Sequence, residues 1–232
     1  MKTSFLTDLF DLIAPRSCAI CGCRLSAAES VICGVCHLRM PLTGFAQSPL
    51  DNPMTRLFWG QFPVEKAAAY FYYQPHSDTS LLVYNLKYHS QPQIGENMGR
   101  LFAGELSRQG FFEGIDAIIP VPITRRRRWQ RGYNQSLEIA RGISEVTSLP
   151  ILKNAVRRTR FDQSQTKKKG WQRLENVADA FQLRQPEAIN GRHLLLVDDI
   201  VTTGATIRAC ALELCKAGDV RISVVSLGFT KK

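Results

Sequence analysis

From about residue 64 onward, short apolar runs alternate with stretches whose apolar positions fall three and four residues apart. The runs at 67–73, 115–121, 150–156 and 220–228 predict strands. So does Leu194-Leu195-Leu196-Val197, whose unbroken apolar character suits a strand buried on both faces. The helical spacing predicts helices over 78–88, 94–108 and 135–146, and from 207 to about 216, with Asp78 placed to cap the first. Residues 176–183 read as a short strand or extension. This alternation implies an α/β domain with a mostly parallel, doubly wound sheet. Ahead of it, residues 3–13 pattern as a short amphipathic helix: Phe5, Leu6, Leu9, Phe10, Leu12 and Ile13 make its apolar face. That face is expected to dock on the protein itself. A membrane surface is the weaker alternative, because the polar face is acidic. Pro41, Pro49, Pro53 and Pro63, with Gly44 and Gly60, predict an irregular linker, tucked onto the next domain by Phe58, Trp59 and Phe62. The expected organisation is a helix at 1–16, a cysteine-rich module at 17–40, a linker at 41–65 and the α/β domain at 66–232.

Composition sharpens this in two ways. The chain of 232 residues is 44% apolar, enough for a real core, yet no apolar run reaches the ~18–20 residues of a membrane span. Asp8 and Asp11 interrupt the N-terminal apolar stretch, so no signal-peptide pattern is seen and a cytoplasmic location is expected. The net charge is +10, and residues 120–175 hold 14 basic and 4 acidic residues, a surplus equal to that of the whole chain. A local excess of this size calls for an anionic partner: diphosphate, nucleic acid, or both.

Cys18-x2-Cys21 is followed, eleven residues on, by Cys33-x2-Cys36. Each motif makes a tight turn that aims two thiolates at one point, and two such turns supply a tetrahedral zinc site. Gly22 and Gly34 suit the knuckle turns, and a closed four-thiolate shell is structural rather than catalytic. Cys23 is a fifth thiol that could compete as a ligand, and His37 is superfluous if four thiolates bind. A disulfide cluster is the alternative, requiring an oxidising compartment. Cys210 and Cys215 read as core cysteines.

The stretch Val197-Asp198-Asp199-Ile200-Val201-Thr202-Thr203-Gly204-Ala205-Thr206 carries the most specific chemistry. Ligands of open α/β sheets sit beyond the carboxyl ends of strands. There, a Thr-Thr-Gly-Ala-Thr turn entering a helix gathers backbone N–H groups and hydroxyls around one anion. The two aspartates repel phosphate but can accept hydrogen bonds from sugar hydroxyls or position Mg²⁺. The stretch therefore reads as a ribose 5-phosphate site, and it closely resembles the motif with which type I phosphoribosyltransferases bind 5-phosphoribosyl 1-diphosphate (PRPP). The alternative is a turn capped by its own aspartates. Upstream, Pro120-Val121-Pro122 and the arginines that follow are candidates for diphosphate: Arg125 and Arg131 at or near the site, Arg126–Arg128 solvated or bound to a larger polyanion. The basic segment 158–175 reads as a lid over diphosphate, or alternatively as a solvated basic loop.

Five blocks in order resemble the ComF/GntX family of phosphoribosyltransferase-like proteins: the paired Cys-x2-Cys motifs; Tyr84-Asn85-Leu86-Lys87-Tyr88; Pro120-Val121-Pro122 with Arg131-Gly132-Tyr133-Asn134-Gln135; Gln165, Arg173, Asn176-Val177 and Ala180-Phe181; and 197–206. The resemblance covers nearly the whole chain. It implies a zinc-ribbon N-terminus on a type I phosphoribosyltransferase fold. It also implies a link to natural transformation, in which single-stranded DNA is taken up, alongside a DNA helicase. Lys87, inside the second block, is counted with the PRPP-binding residues. The extra Cys23 and the lysine-rich 167–169 depart from the pattern.

Two functions follow. As an enzyme, the protein would place the ribose and Mg²⁺ at Asp198 and Asp199 and the 5-phosphate at Thr202, Thr203, Gly204, Ala205 and Thr206. Arg125 and Arg131 would hold diphosphate. Its acceptor contacts would then come from residues before about 66. As a binding module, it would sense PRPP or a nucleotide and hold single-stranded DNA on its basic face. The reading carried forward is a PRPP-binding protein associated with single-stranded DNA uptake, with an active phosphoribosyltransferase of nucleotide metabolism as the alternative.

Overall fold

The computed structural model describes residues 16–88, 91–159 and 180–231. In chain order its elements are α1 (Gly34–Arg39), α2 (Pro53–Phe58), β1 (Val64–Tyr73), α3 (Asp78–Tyr88), α4 (Pro92–Arg108), β2 (Ala117–Pro120), α5 (Arg125–Arg131), α6 (Gln135–Thr147), β3 (Val156–Arg158), β4 (Phe181–Leu183), β5 (His193–Val201), α7 (Ala205–Cys215) and β6 (Arg221–Thr230). Four strands form one sheet in the order β1-β6-β5-β2, and every pairing in it is parallel. The expected α/β architecture with a mostly parallel sheet is therefore present. The unbroken apolar run of β5 is explained by its place between β6 and β2: Leu194, Leu195, Leu196 and Val197 are fully buried. The predicted amphipathic helix over 3–13, and the basic segment from residue 160 to 175, lie outside the described residues. Among the described residues no helix is long and apolar enough to cross a membrane.

Three local expectations change. The strand predicted at 150–156 is a single rung: Ile118 donates to the Pro150 carbonyl and Leu152 donates back to Ile118. The chain then turns at Lys153-Asn154, and β3 pairs antiparallel with β4 in a separate two-stranded ribbon. β2, only four residues long and ending in a proline, offers too little edge to extend that pairing. The predicted irregular linker contains α2. Asn52 caps it by accepting from the N–H groups of Met54 and Thr55, and Pro53 occupies the first turn, where its missing N–H costs nothing. Phe58 and Phe62 are buried as predicted, whereas Trp59 is 52% exposed. Finally, the arginine run forms α5, capped by Thr124 and ended by Gly132 at φ +80°. This helix has no buried residue, so no apolar period announced it.

Helix α6 is set by an unusually close contact with α4. A Cβ built on Gly142 would lie 1.9 Å from the Glu96 carbonyl oxygen, so the backbones touch. The N-terminus of α6 is thereby brought to the carboxyl end of β5.

Candidate functional site

Asp198 and Asp199 sit where β5 leaves the core. Asp198 Oδ1 accepts from the Ser136 hydroxyl at 3.0 Å, in the first turn of α6, and from the N–H of Asp199 at 2.9 Å. Asp199 Oδ1 accepts from the Ile200 N–H at 2.7 Å, and its Oδ2 stands 3.1 Å from Lys87 Nζ on α3. Burial, then the neighbouring charge of Asp199, pushes the Asp198 carboxyl up to about 7. The arrangement thus holds two adjacent carboxyl groups against one nearby ammonium, which suits it to a hydroxyl-rich or cationic guest.

The turn after β5 leads into α7. Thr202 and Thr203 are exposed, and Ala205 and Thr206 are half-buried. Thr203 Oγ1 accepts from the Ala205 N–H at 3.4 Å. Gly204 caps α7 at φ +75°, and a Cβ there would lie 2.7 Å from the Phe58 ring. Both the backbone conformation and the ring require glycine. Helix α2 is therefore the support on which this turn rests.

The structure separates the two candidate diphosphate arginines to opposite ends of α5. Arg125 lines an open groove of about 750 Å³ with Arg128, Lys153, Arg157, Arg158 and Arg184, and no carboxylate is among the described residues that line it. Arg158 is half-buried over the Phe181 ring. Burial and then Arg127 hold its guanidinium below the usual range while Asp198 pulls it back up. Pro122 and Ile123, just beyond the end of β2 beside β5, also line the groove, which places it at the carboxyl end of the sheet. Arg131 instead donates to Gln135 Oε1 at 2.9 Å, and its guanidinium lies 5.8 Å from the centre of the Tyr88 ring. Tyr133 donates to the Leu86 carbonyl, and Asn134 to the Val121 carbonyl at 3.1 Å, fastening α3 and the end of β2 to the start of α6. Asn134 Oδ1 and Gln135 Nε2 are buried without a hydrogen-bond partner among the described residues.

Sequence reasoning missed Ser136 and assigned Arg158 to a lid. The signal for Ser136 was its place in the first turn of a helix that must pack beside β5. Arg158 carried no such signal, because the ribbon that holds it pairs residues far apart in sequence.

The sulfurs of Cys18, Cys21, Cys33 and Cys36 all lie within 4.8 Å of one another. Cys21 and Cys33 are 3.8 Å apart, matching the edge of about 3.8 Å of a tetrahedron with metal–sulfur bonds of about 2.3 Å. The four thiols thus fit a metal such as zinc in a ribbon module. Cys23 is exposed and is not one of the four, but its thiol stands beside Cys21 and Cys33, where it could compete as a ligand; His37 is turned to the Tyr70 hydroxyl at 2.7 Å. The carbonyl of Ala19, inside the first knuckle, accepts from Asn85 on α3 at 2.7 Å. The cysteine module therefore braces the helix that carries Lys87.

No family model matches the chain. It is 30% identical over 223 residues to the DNA utilization protein YhgH of Escherichia coli O157:H7, covering 92% of this chain and 96% of that one. Competence protein F of Haemophilus influenzae is 32% identical over 152 residues, 64% of this chain and 66% of the relative. Competence protein ComFC of Bacillus subtilis is 28% identical over 106 residues, 44% and 41% of the two chains. With near full-length similarity to the first relative and its cysteine cluster beside a parallel sheet, the chain belongs to the ComF/GntX family.

Proposed function

We propose that the carboxyl end of β5 binds PRPP with Mg²⁺, and that the protein serves the handling of single-stranded DNA during uptake. The observation that carries the first part is the pair Asp198 and Asp199 near the carboxyl end of β5, with the Gly204 turn and the N-terminus of α7 following within six residues. In this reading the 5-phosphate takes the N–H groups and hydroxyls of 202–206, the ribose hydroxyls donate to the carboxylates, and Lys87 fixes Asp199. Mg²⁺, when bound, would neutralise diphosphate. Arg125 and Arg158 approach the diphosphate from the groove side. The DNA role draws on the names of the relatives and on the groove, whose cations outnumber what one diphosphate needs. In the same reading, the zinc-loaded cysteine module and the exposed Val35 and Leu38 of α1 offer a docking face to a partner of the uptake apparatus, such as a helicase.

The paired carboxylates also favour an enzyme. A nucleophile would form a bond to ribose C1 as the bond from C1 to the diphosphate oxygen breaks, and Asp198 and Asp199 would stabilise the positive charge developing on the ring. Calorimetric titration of PRPP and Mg²⁺ into wild type and the Asp198→Asn/Asp199→Asn variant tests the site. Saturable binding that the variant loses supports it. No binding by folded, zinc-loaded wild type refutes it.

A further inference from the structure

We infer that Trp129 is the residue on which a base of single-stranded DNA stacks while the phosphates of the strand occupy the groove. The inference rests on the DNA reading of the groove and deepens it by placing the bases. Trp129 is 87% exposed on α5. Among the described residues neither an aromatic ring nor a cation packs against its indole, whereas the Trp59 ring has the Arg56 guanidinium 5.9 Å from its centre. Arg125, Arg128 and Trp129 are spaced i, i+3 and i+4, so they share one face of the helix. Arg125 and Arg128 line the groove. The indole therefore stands beside the groove, one helical turn or about 5–6 Å from Arg125.

Helix α5 presents its side chains and buries none, so packing of an apolar face does not hold it. Its ends do. Thr124 caps the start and Gly132 closes the other end, while Tyr133 and Asn134, just beyond, donate to the Leu86 and Val121 carbonyls. The four consecutive arginines 125–128 make no ion pair seen among the described residues. Like charges this close repel, and an anion lying along them relieves the repulsion. A phosphate chain supplies that anion. The indole says what hangs from the chain: its flat face takes a stacked base, and stacking tolerates any base. A lipid surface fits less well, because Trp129 is the one apolar residue of α5 and gives the helix no apolar face to insert. An acidic peptide would match the arginines and leave the indole without a role.

The test uses the full-length, zinc-loaded protein and two fluorescein-labelled strands of equal length, an oligothymidylate and one whose bases are replaced by abasic sites. Anisotropy is read over a range of salt concentrations. Wild type should bind the thymidylate about tenfold more tightly than the abasic strand. Trp129→Ala should weaken thymidylate binding by about tenfold, leave the abasic strand within about twofold and keep the salt slope, because stacking releases no counterions. Trp129→Phe should retain most of the preference for bases. Arg128→Gln should weaken both strands alike and flatten the slope by about 0.7. Thermal melts certify that each variant is folded. Photo-crosslinking of a 5-bromouracil strand to wild type reads the same contact without a substitution: an adduct at Trp129 supports the inference, and adducts confined to other residues overturn it. Equal affinity of wild type for the two strands, or equal loss on both in Trp129→Ala, also overturns it. If that happens while the steep salt slope persists and Arg128→Gln flattens it, the groove reading stands and the stacking falls. If wild type binds neither strand, both fall.

Discussion

Lys87 Nζ and Asp199 Oδ2 meet at 3.1 Å across the gap between α3 and the end of β5, with 22% and 15% of their side chains exposed. This contact joins the cysteine-braced helix to the sheet, and among the described residues it is the ion pair that the Asp198–Asp199 pair makes. Lys87→Met removes the cation from two adjacent carboxyl groups. We expect a loss of about 1–3 kcal/mol at pH 7.5, smaller than for a fully buried pair because water reaches both partners. The deficit should shrink at pH 5, where Asp198 carries a proton. Denaturant melts at the two pH values check this, and a deficit independent of pH would count against it.

Asp198 itself should cost stability in the metal-free protein. Its carboxyl rises from the ordinary 3.8 to about 7, so between those values the folded state holds a proton that the unfolded chain has released. Stability from this group is full below about pH 4 and is lost as pH climbs through 7. Asp198→Asn should therefore be more stable than wild type at pH 8, by the order of 1–3 kcal/mol, with no such gain at pH 4. PRPP binding should be lost in the same variant. His193 acts in the opposite sense. Burial, more than any other influence, holds its imidazole below the usual range, so its contribution is present above about pH 6.5 and is lost on acidification. The difference between variant and wild type isolates Asp198, because His193 is common to both. A variant destabilised at pH 8 would contradict the account.

The Gly204 turn makes a sharper test, because it separates conformation from contact. Gly204 and Gly132 both have positive φ, +75° and +80°, but a Cβ on Gly132 meets nothing within 4 Å among the described residues, whereas one on Gly204 meets Phe58 at 2.7 Å. Gly132→Ala should cost about 1 kcal/mol, the price of the left-handed conformation alone. Gly204→Ala should cost about 2–4 kcal/mol and weaken PRPP binding as the turn shifts off α2. Combining Gly204→Ala with Phe58→Leu should recover part of that excess, measured as a coupling energy. Additive effects would mean that the ring does not support the turn.

How much of this was legible in the sequence depends on the range of the interaction. The helix over 78–88 was bounded correctly and β5 was found, because their patterns are written within a dozen residues. The Cys-x2-Cys pairs likewise named the four clustered sulfurs. Helix α2 was hidden because Pro53 and Asn52 carry turn and helix-start meanings alike, and only the fit of Phe58 against Gly204 settles which applies. Arg131 was read toward diphosphate from its forked donors and from the glycine, amides and helix start that follow it; its contacts with Gln135 and Tyr88 depend in addition on where α3 docks. Ser136, Arg158 and the Lys87–Asp199 contact all arise from segments distant in sequence. No local pattern encodes those meetings.

The groove makes a prediction about salt. Lys153, Arg157 and Arg184 line it without contacting Asp198 or Asp199 in any ion pair seen among the described residues. If a single strand lies there, log K for oligothymidylate falls linearly with log salt, with a slope of about −0.7 per phosphate contact. The triple variant Lys153→Gln/Arg157→Gln/Arg184→Gln should flatten that slope by up to about 2 while the PRPP titration keeps its stoichiometry. An unchanged slope would place the strand elsewhere.

The cysteine cluster connects stability to the site. Purified under reducing conditions, the protein should carry about one zinc per chain. Stripping it with a chelator removes the constraint that holds four thiolates together and frees the first knuckle, whose Ala19 carbonyl is the acceptor for Asn85. Helix α3 then loses one of its fastenings two residues before Lys87. Amide exchange should quicken across 78–88 on chelation, and far less in β5 and β6, which the sheet protects on both sides. Asn85→Ala in zinc-loaded protein should reproduce the faster exchange in α3 without metal loss. If chelation leaves α3 as protected as before, the cysteine module stands apart from the site; if Asn85→Ala and chelation act alike, the metal steadies the helix that brings Lys87 to Asp199.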